Sequence, residues 1–136
     1  IYFYNVYGPK QICEGDMATV IGIFETQYIK KIPLTVVKPG TQSRRFTHIS
    51  DTVFVCFDAW KKNKARHYSI SNKKTYTILN VAKMFKCKIS FLPKRQGERY
   101  ASALTNISIS NKVYKKFGKI HLKDYINSFI NSQKIK

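Results

Sequence analysis

The chain has 136 residues, with 25 Lys and Arg against 7 Asp and Glu, a formal net charge of +18 and 43% apolar residues. Its length suits one domain or a part of a larger one, and the apolar content, with 9 Phe and 9 Tyr, excludes a disordered polycation. No apolar run reaches the ~18 residues of a membrane-spanning helix.

In chain order, residues 2–7 are rich in aromatic and β-branched side chains and predict a buried strand, closed by Gly8-Pro9. Residues 18–31 predict a helix with Val20, Ile21, Phe24, Tyr28 and Ile29 on one broad face. Pro33 to Val37 reads as a short strand stopped by Pro39-Gly40, and 46–49 as a second extended piece. Ser50 or Asp51 then predicts an N-cap for a helix through Lys62 that buries Val53, Phe54, Phe57 and Trp60. His67 to Ile70 is expected to be a strand. Thr77 caps a helix carrying Ile78, Val81, Ala82 and Phe85, and Lys88 to Leu92 alternates as a strand. Ser110 predicts a helix ending at Gly118, and 121–133 a last amphipathic helix. The expected architecture is mixed α/β, with short strands and five helices. The opening at Ile1 on an aromatic, strand-like segment points to a preceding N-terminal part.

The charge invites a nucleic-acid reading, but the cations are mostly scattered lysines near turns and predicted helix ends, where solvated Lys is ordinary. The arginines are more pointed. Arg44 and Arg45 are adjacent, Arg95 and Arg99 flank Gly97, and a guanidinium fork matches phosphate oxygens better than an ammonium does. A phosphate-bearing ligand is therefore favoured over nucleic acid. Cys13, Cys56 and Cys87 lie far apart without zinc-ligand spacing, so no metal site is expected. Buried thiols and a reducing, cytoplasmic setting are expected instead.

Four segments then occur in a telling order: Tyr-Asn-Val-Tyr-Gly-Pro-Lys-Gln (4–11), Ala-Thr-Val-Ile-Gly-Ile-Phe (18–24), Pro-Leu-Thr-Val-Val (33–37) and Gly-Thr-Gln-Ser-Arg-Arg-Phe-Thr-His-Ile-Ser-Asp (40–51). Later come Leu-Pro-Lys-Arg-Gln-Gly-Glu-Arg (92–99) and Leu-Lys-Asp-Tyr-Ile (122–126). Together they resemble the C-terminal half of the extended short-chain dehydrogenase/reductases, in particular the NAD-dependent nucleotide-sugar epimerases of the UDP-glucose 4-epimerase type. The resemblance implies that residues 1–136 form a small substrate-binding lobe of a Rossmann-type epimerase, with the Rossmann core incomplete or absent. The chain has no GxGxxG turn. It also lacks the family's Tyr-x-x-x-Lys pair: the strings from Tyr76, Tyr114 and Tyr125 end on Asn80, Gly118 and Phe129. No catalytic residue is therefore expected here, and this portion alone is expected to be inactive. NAD would be held mainly by a separate N-terminal domain.

Carried over position by position, the resemblance implies substrate-binding roles for seven residues. Asn5 would bond near the diphosphate and Val20 would contact the nucleotide through its backbone. Thr35 and Val37 would hold uracil, Arg44 and Arg95 would clamp the diphosphate, and Glu98 would bond the ribose. Phe3 and Tyr4 would line the cofactor side. His48 and Asp51 are expected to fix the turn and cap the next helix. Three positions depart from the family pattern: Tyr2 stands in place of Arg, Lys38 in place of Gly and Arg45 in place of Asp. The implied partners are a nucleotide-diphosphate sugar, the protein's own Rossmann domain and, for a full-length protein, a second copy. A membrane is not among them. The alternatives are a dehydratase or decarboxylase of the same family, a non-catalytic relative that still binds nucleotide sugar, and a basic nucleic-acid-binding module.

Overall fold

The computed structural model describes residues 1–63, 67–72, 74–94, 96–97, 113–116 and 118–135. The elements run β1 (Tyr2–Phe3), β2 (Val6–Tyr7), α1 (Val20–Ile29), β3 (Leu34–Val37), β4 (Ser43–Arg45), β5 (Thr47–His48), α2 (Ile49–Lys62), β6 (His67–Ile70), β7 (Thr75–Thr77), α3 (Ile78–Met84), β8 (Ile89–Leu92), β9 (Val113–Lys116) and α4 (Leu122–Lys134). The class is mixed α/β, as expected. The strands form four small sheets: a parallel three-stranded sheet in the order β1-β6-β9, parallel pairs β2-β5 and β3-β8, and the antiparallel pair β4-β7.

Three expectations need correction. The strand expected over 2–7 is broken at Asn5, whose left-handed φ of 42° sends β1 and β2 into different sheets. Asn tolerates this conformation better than a β-branched residue does. Where a helix was expected to end at Gly118, residues 113–116 instead form β9, in register with β6 from His67↔Val113 to Ile70↔Lys116. A local capping signal yields there to pairing along a parallel edge, so the described residues hold four helices; Ser110 lies outside them.

The third correction concerns α2. Its buried residues are Thr52, Val55 and Ala59, whereas Val53, Phe54 and Ile49 are exposed, with Phe57 at 55% and Trp60 at 77%. At about 100° per residue, 49, 53, 57 and 60 share one side and 52, 55 and 59 lie on the other. The helix is apolar on two sides, and the small-residue side faces this chain's own sheet. Its N-cap is His48 rather than Ser50 or Asp51. The His48 backbone is extended, and its Nδ1 accepts the Ser50 N–H at 3.2 Å. Asp51 sits in the first turn and its Oδ2 accepts the Ile120 N–H at 3.0 Å, tying α2 to the entry of α4.

The core lies between α1, β3, α3 and α4, where Phe24, Leu34, Val36, Val81, Phe85 and Ile126 are buried. Phe85 meets the rings of Phe24 and Phe129 at 5.9 and 6.1 Å between centroids. Each such side chain contributes about 1.5–3 kcal/mol on burial. Cys13 is exposed, while Cys56 and Cys87 are half-buried, so the thiols are less sheltered than expected. Among the described residues, no helix is long and apolar enough to cross a membrane.

Candidate functional site

The site is built by the way α1 begins. Thr19 is its N-cap: the Oγ1 accepts the Gly22 N–H at 3.0 Å and donates to Gln11 Oε1 at 2.8 Å. Gly22 is required here, because a Cβ would fall 2.7 Å from the Ile12 carbonyl oxygen. The segment before the helix is thereby held against its first turn, which carries no acidic residue. The partial positive charge of a helix N-terminus is therefore left uncompensated by the helix itself.

In front of that first turn lies a cavity of about 430 Å³. Ala18, Thr19 and Val20 line one side, Thr35 and Val37 of β3 another, Asn5 and Val6 a third, and Gln42 and Arg44 a fourth. Phe24, Phe46, Ile78 and Leu92 add apolar wall. β3 alternates, burying Leu34 and Val36 in the core and leaving Thr35 and Val37 half-buried on the cavity side. Its parallel partner β8 brings Leu92 opposite Val37. Gln27 of α1 fixes Thr35 twice: its Oε1 accepts the Thr35 N–H at 3.0 Å and its Nε2 donates to Thr35 Oγ1 at 2.8 Å.

Of the residues singled out in the sequence, Asn5, Val20, Thr35, Val37 and Arg44 all border this one cavity. Arg95 and Glu98 lie outside the described residues. Phe3 and Tyr4 do not line it. Phe3 is 53% exposed and Tyr4 is buried, and β1 lies at an edge of its sheet. Arg44 is the only charged side chain among the described lining residues. Its Nη1 donates to the Ser43 carbonyl at 2.8 Å, which leaves most of its five N–H donors available. Asn5 Nδ2 donates to the Arg45 carbonyl at 3.0 Å, bracing the Arg44–Arg45 strand against the start of the chain.

Gln42 was missed by sequence reasoning as a site residue. It is 1% exposed, its Nε2 donates to the Val37 carbonyl at 3.3 Å, and its Oε1 is buried without a hydrogen-bond partner among the described residues. A buried acceptor left unsatisfied costs about 1–3 kcal/mol, so a donor from a ligand would relieve it. Its place between Gly40 and Arg44 in the motif was the available signal. Gly40 has φ +78° and its Cβ would meet Val36 Cγ1 at 2.9 Å, so the turn that aims Gln42 inward admits no side chain.

Behind the cavity, Tyr7, His48 and Tyr125 form a ring cluster with centroids 5.1–5.6 Å apart. Burial holds the His48 imidazole below its ordinary range, offset in part by Asp51. Burial raises the Tyr7 and Tyr125 phenols, with Asp51 and Glu25 adding to the respective shifts. Burial also raises Glu25, whose Oε2 accepts from Gln11 Nε2 at 2.8 Å. None of these four lines the cavity; their geometry supports the fold rather than a reaction.

Among the described residues the cavity is thus an apolar slot with amide groups at one end and one guanidinium beside a helix N-terminus. The family model described as "NAD dependent epimerase/dehydratase family" matches residues 1–72. UDP-glucuronic acid decarboxylase 4 of Arabidopsis thaliana is 30% identical over 101 residues, covering 70% of this chain and 22% of that protein. UDP-glucuronic acid decarboxylase 3 of the same plant is 32% identical over 83 residues, covering 61% and 24%. Among solved structures, UDP-glucose 4-epimerase from Thermotoga maritima with UDP-glucose has a TM-score of 0.77 at 18% identity, covering 98% of this chain and 45% of that one. UDP-glucuronic acid 4-epimerase from Bacillus cereus, in complex with UDP-glucuronic acid and NAD, has a TM-score of 0.70 at 22% identity, covering 98% and 44%. The chain therefore spans less than half the length of these solved relatives and under a quarter of the first curated one. The match over residues 1–72 takes in more than half of the 136, and the chain belongs to the NAD-dependent epimerase/dehydratase family.

Proposed function

We propose that the cavity holds the nucleotide diphosphate of a UDP-sugar, and that the chain is the substrate-binding portion of an NAD-dependent UDP-sugar epimerase. The observation that carries this reading is the convergence of Asn5, Val20, Thr35, Val37 and Arg44 on one cavity at the N-terminus of α1. A diphosphate suits the end bearing Arg44 and the free backbone N–H groups of the first turn, because both supply positive charge and directed donors. The base suits the slot between Thr35, Val37 and Gln42, where a ring N–H would satisfy Gln42 Oε1. Energy from holding the nucleotide would then position the sugar for chemistry outside this cavity.

The sequence has no GxGxxG turn to cradle a dinucleotide, so these residues do not by themselves build a whole NAD site. Phe3, exposed, and Tyr4, buried, do not line the cavity, and a role for them beside NAD would need a further lobe. No reaction step is therefore assigned to this chain. What supports a separate NAD-binding lobe is the pair of unfinished surfaces around α2 and β1. Among the described residues β1 is an edge strand, a template for pairing with another segment, and α2 exposes Val53, Phe54, Phe57 and Trp60. Large apolar side chains grouped and exposed in this way suit an interaction surface.

A UDP-glucuronate decarboxylase reading is favoured by the curated relatives, which are enzymes of that name. Amide hydrogen exchange with and without UDP-glucose tests the cavity. Protection is expected within 18–24, 34–37 and 42–46. Unchanged exchange there, together with steeply salt-dependent binding to random DNA, would replace the proposal with the nucleic-acid module.

A further inference from the structure

A second cavity, of about 540 Å³, lies on the opposite side of α1 from its first turn, and neither the family nor the nucleotide reading uses it. It forms where three helices end: α1 at Ile29, α3 just before Lys86 and α4 at Lys134. Tyr28, Ile29, Ile32 and Pro33 give it apolar wall. Tyr28 is anchored by the rings of Phe85 and Phe129 at 6.1 and 5.9 Å. Cys87 adds to that wall, its thiol kept neutral by burial.

Around it stand Lys31, Lys86, Lys88 and Lys134, and no carboxylate is among the described lining residues. None of the four joins an ion pair among the described residues. The ordinary account of lysines at helix ends is that they offset the helix dipoles. Each helix C-terminus carries about half a negative charge. Three such ends leave roughly two and a half positive charges uncompensated among four ammonium groups. The lysines therefore exceed what the helices require, and all four are exposed along the rim of an apolar hollow. Two of them, Lys31 and Lys86, each two residues past a helix end, hold left-handed φ of 54° and 55°, where a residue without Cβ is the cheaper choice.

We propose that this cavity is a second ligand site, separate from the nucleotide cavity, which binds a phosphate monoester carried on a compact apolar or aromatic body. The lysines take the phosphate, and Tyr28, Ile32 and Pro33 take the body. Four point charges without a guanidinium suit a small multivalent anion that needs charge more than bidentate geometry.

The probe is 1-naphthyl phosphate, titrated calorimetrically into the full chain with and without saturating UDP. One equivalent is expected to bind, with affinity unaffected by UDP. Lys86→Glu/Lys88→Glu should weaken it at least about tenfold, the scale of one or two charge-assisted contacts, and leave UDP binding unchanged. Arg44→Ala should do the reverse, so failure here and failure of the nucleotide reading are distinguishable. Circular dichroism verifies that the exposed Lys variants remain folded; Ile32→Ser, which leaves the charge intact, gives a second handle and should also weaken the probe. Competition by UDP overturns the proposal, as does an equal loss with the exposed pair Lys119→Glu/Lys123→Glu, which would mean non-specific charge. Inorganic phosphate binding as tightly as the naphthyl ester would overturn the role of the apolar body.

Discussion

Replacing Arg44 by Ala removes the only charge from the described lining of the nucleotide cavity. Its guanidinium makes one bond within the chain, to the Ser43 carbonyl, so the loss within the fold is small and the loss to a bound diphosphate is large. A hydrogen bond to a charged group contributes about 1.5–3 kcal/mol, which corresponds to a loss of about 10- to 150-fold in affinity for UDP. Arg44→Lys keeps the charge but not the fork and should fall between the two. The assay is calorimetric titration of UDP and, separately, of uridine, which has no diphosphate. Uridine affinity should be unchanged, since Thr35, Val37 and Gln42 are left as they are. UDP affinity within twofold of the parent would refute the reasoning, and so would an equal loss for uridine, because the guanidinium would then be shaping the cavity rather than holding phosphate.

Gln42→Leu should leave thermal stability within about 1 kcal/mol, because it removes an unsatisfied oxygen along with one bond; calorimetry should show weaker uridine and UDP binding together. On α2, Phe57→Ser/Trp60→Ser should change the stability of this chain by no more than about 0.5 kcal/mol in urea, whereas Phe24→Ala should cost about 3–5 kcal/mol; a large loss from the first pair would show that the outer side of α2 is covered within the chain. Gly40→Ala should cost more than Gly15→Ala, which shares a φ of +78° but has nothing within 4 Å of its Cβ; the gap should be at least about 1 kcal/mol. Glu25 is raised by burial in the folded state, so its charged form opposes folding, and its own contribution to stability should fall as pH rises from about 4.5 upward. His48 is lowered, so protonation favours unfolding, and its contribution runs the other way, falling as pH drops below about 6.5. Glu25→Gln should flatten the first slope in denaturant titrations across pH and leave the second.

Five residues bordering the cavity, Asn5, Val20, Thr35, Val37 and Arg44, could be singled out from the sequence because they sit in short motifs at turns, strands and helix starts. The N-cap at Thr77 and the alternation of Leu34–Val37 also carry their structures locally. Other features depend on distant partners. Val113–Lys116 is a strand because β6 offers it a parallel edge, and nothing within the segment says so. The bulkier apolar side of α2, with Val53, Phe57 and Trp60, is the one its sequence would bury, yet the sheet takes the side of Thr52, Val55 and Ala59. Gln42 is polar and unremarkable by pattern; its buried, unpaired oxygen exists only once Val37 and the turn at Gly40 enclose it.

Asn5 gives the molecule a joint. On one side of it the backbone runs into the sheet of β1 and β6, on the other into the pair of β2 and β5, and its own carbonyl accepts the Thr47 N–H at 3.3 Å. Because the same residue borders the cavity, the hollow and the branching of the backbone between two sheets share one wall, and the shape of the one is set by the turn of the other.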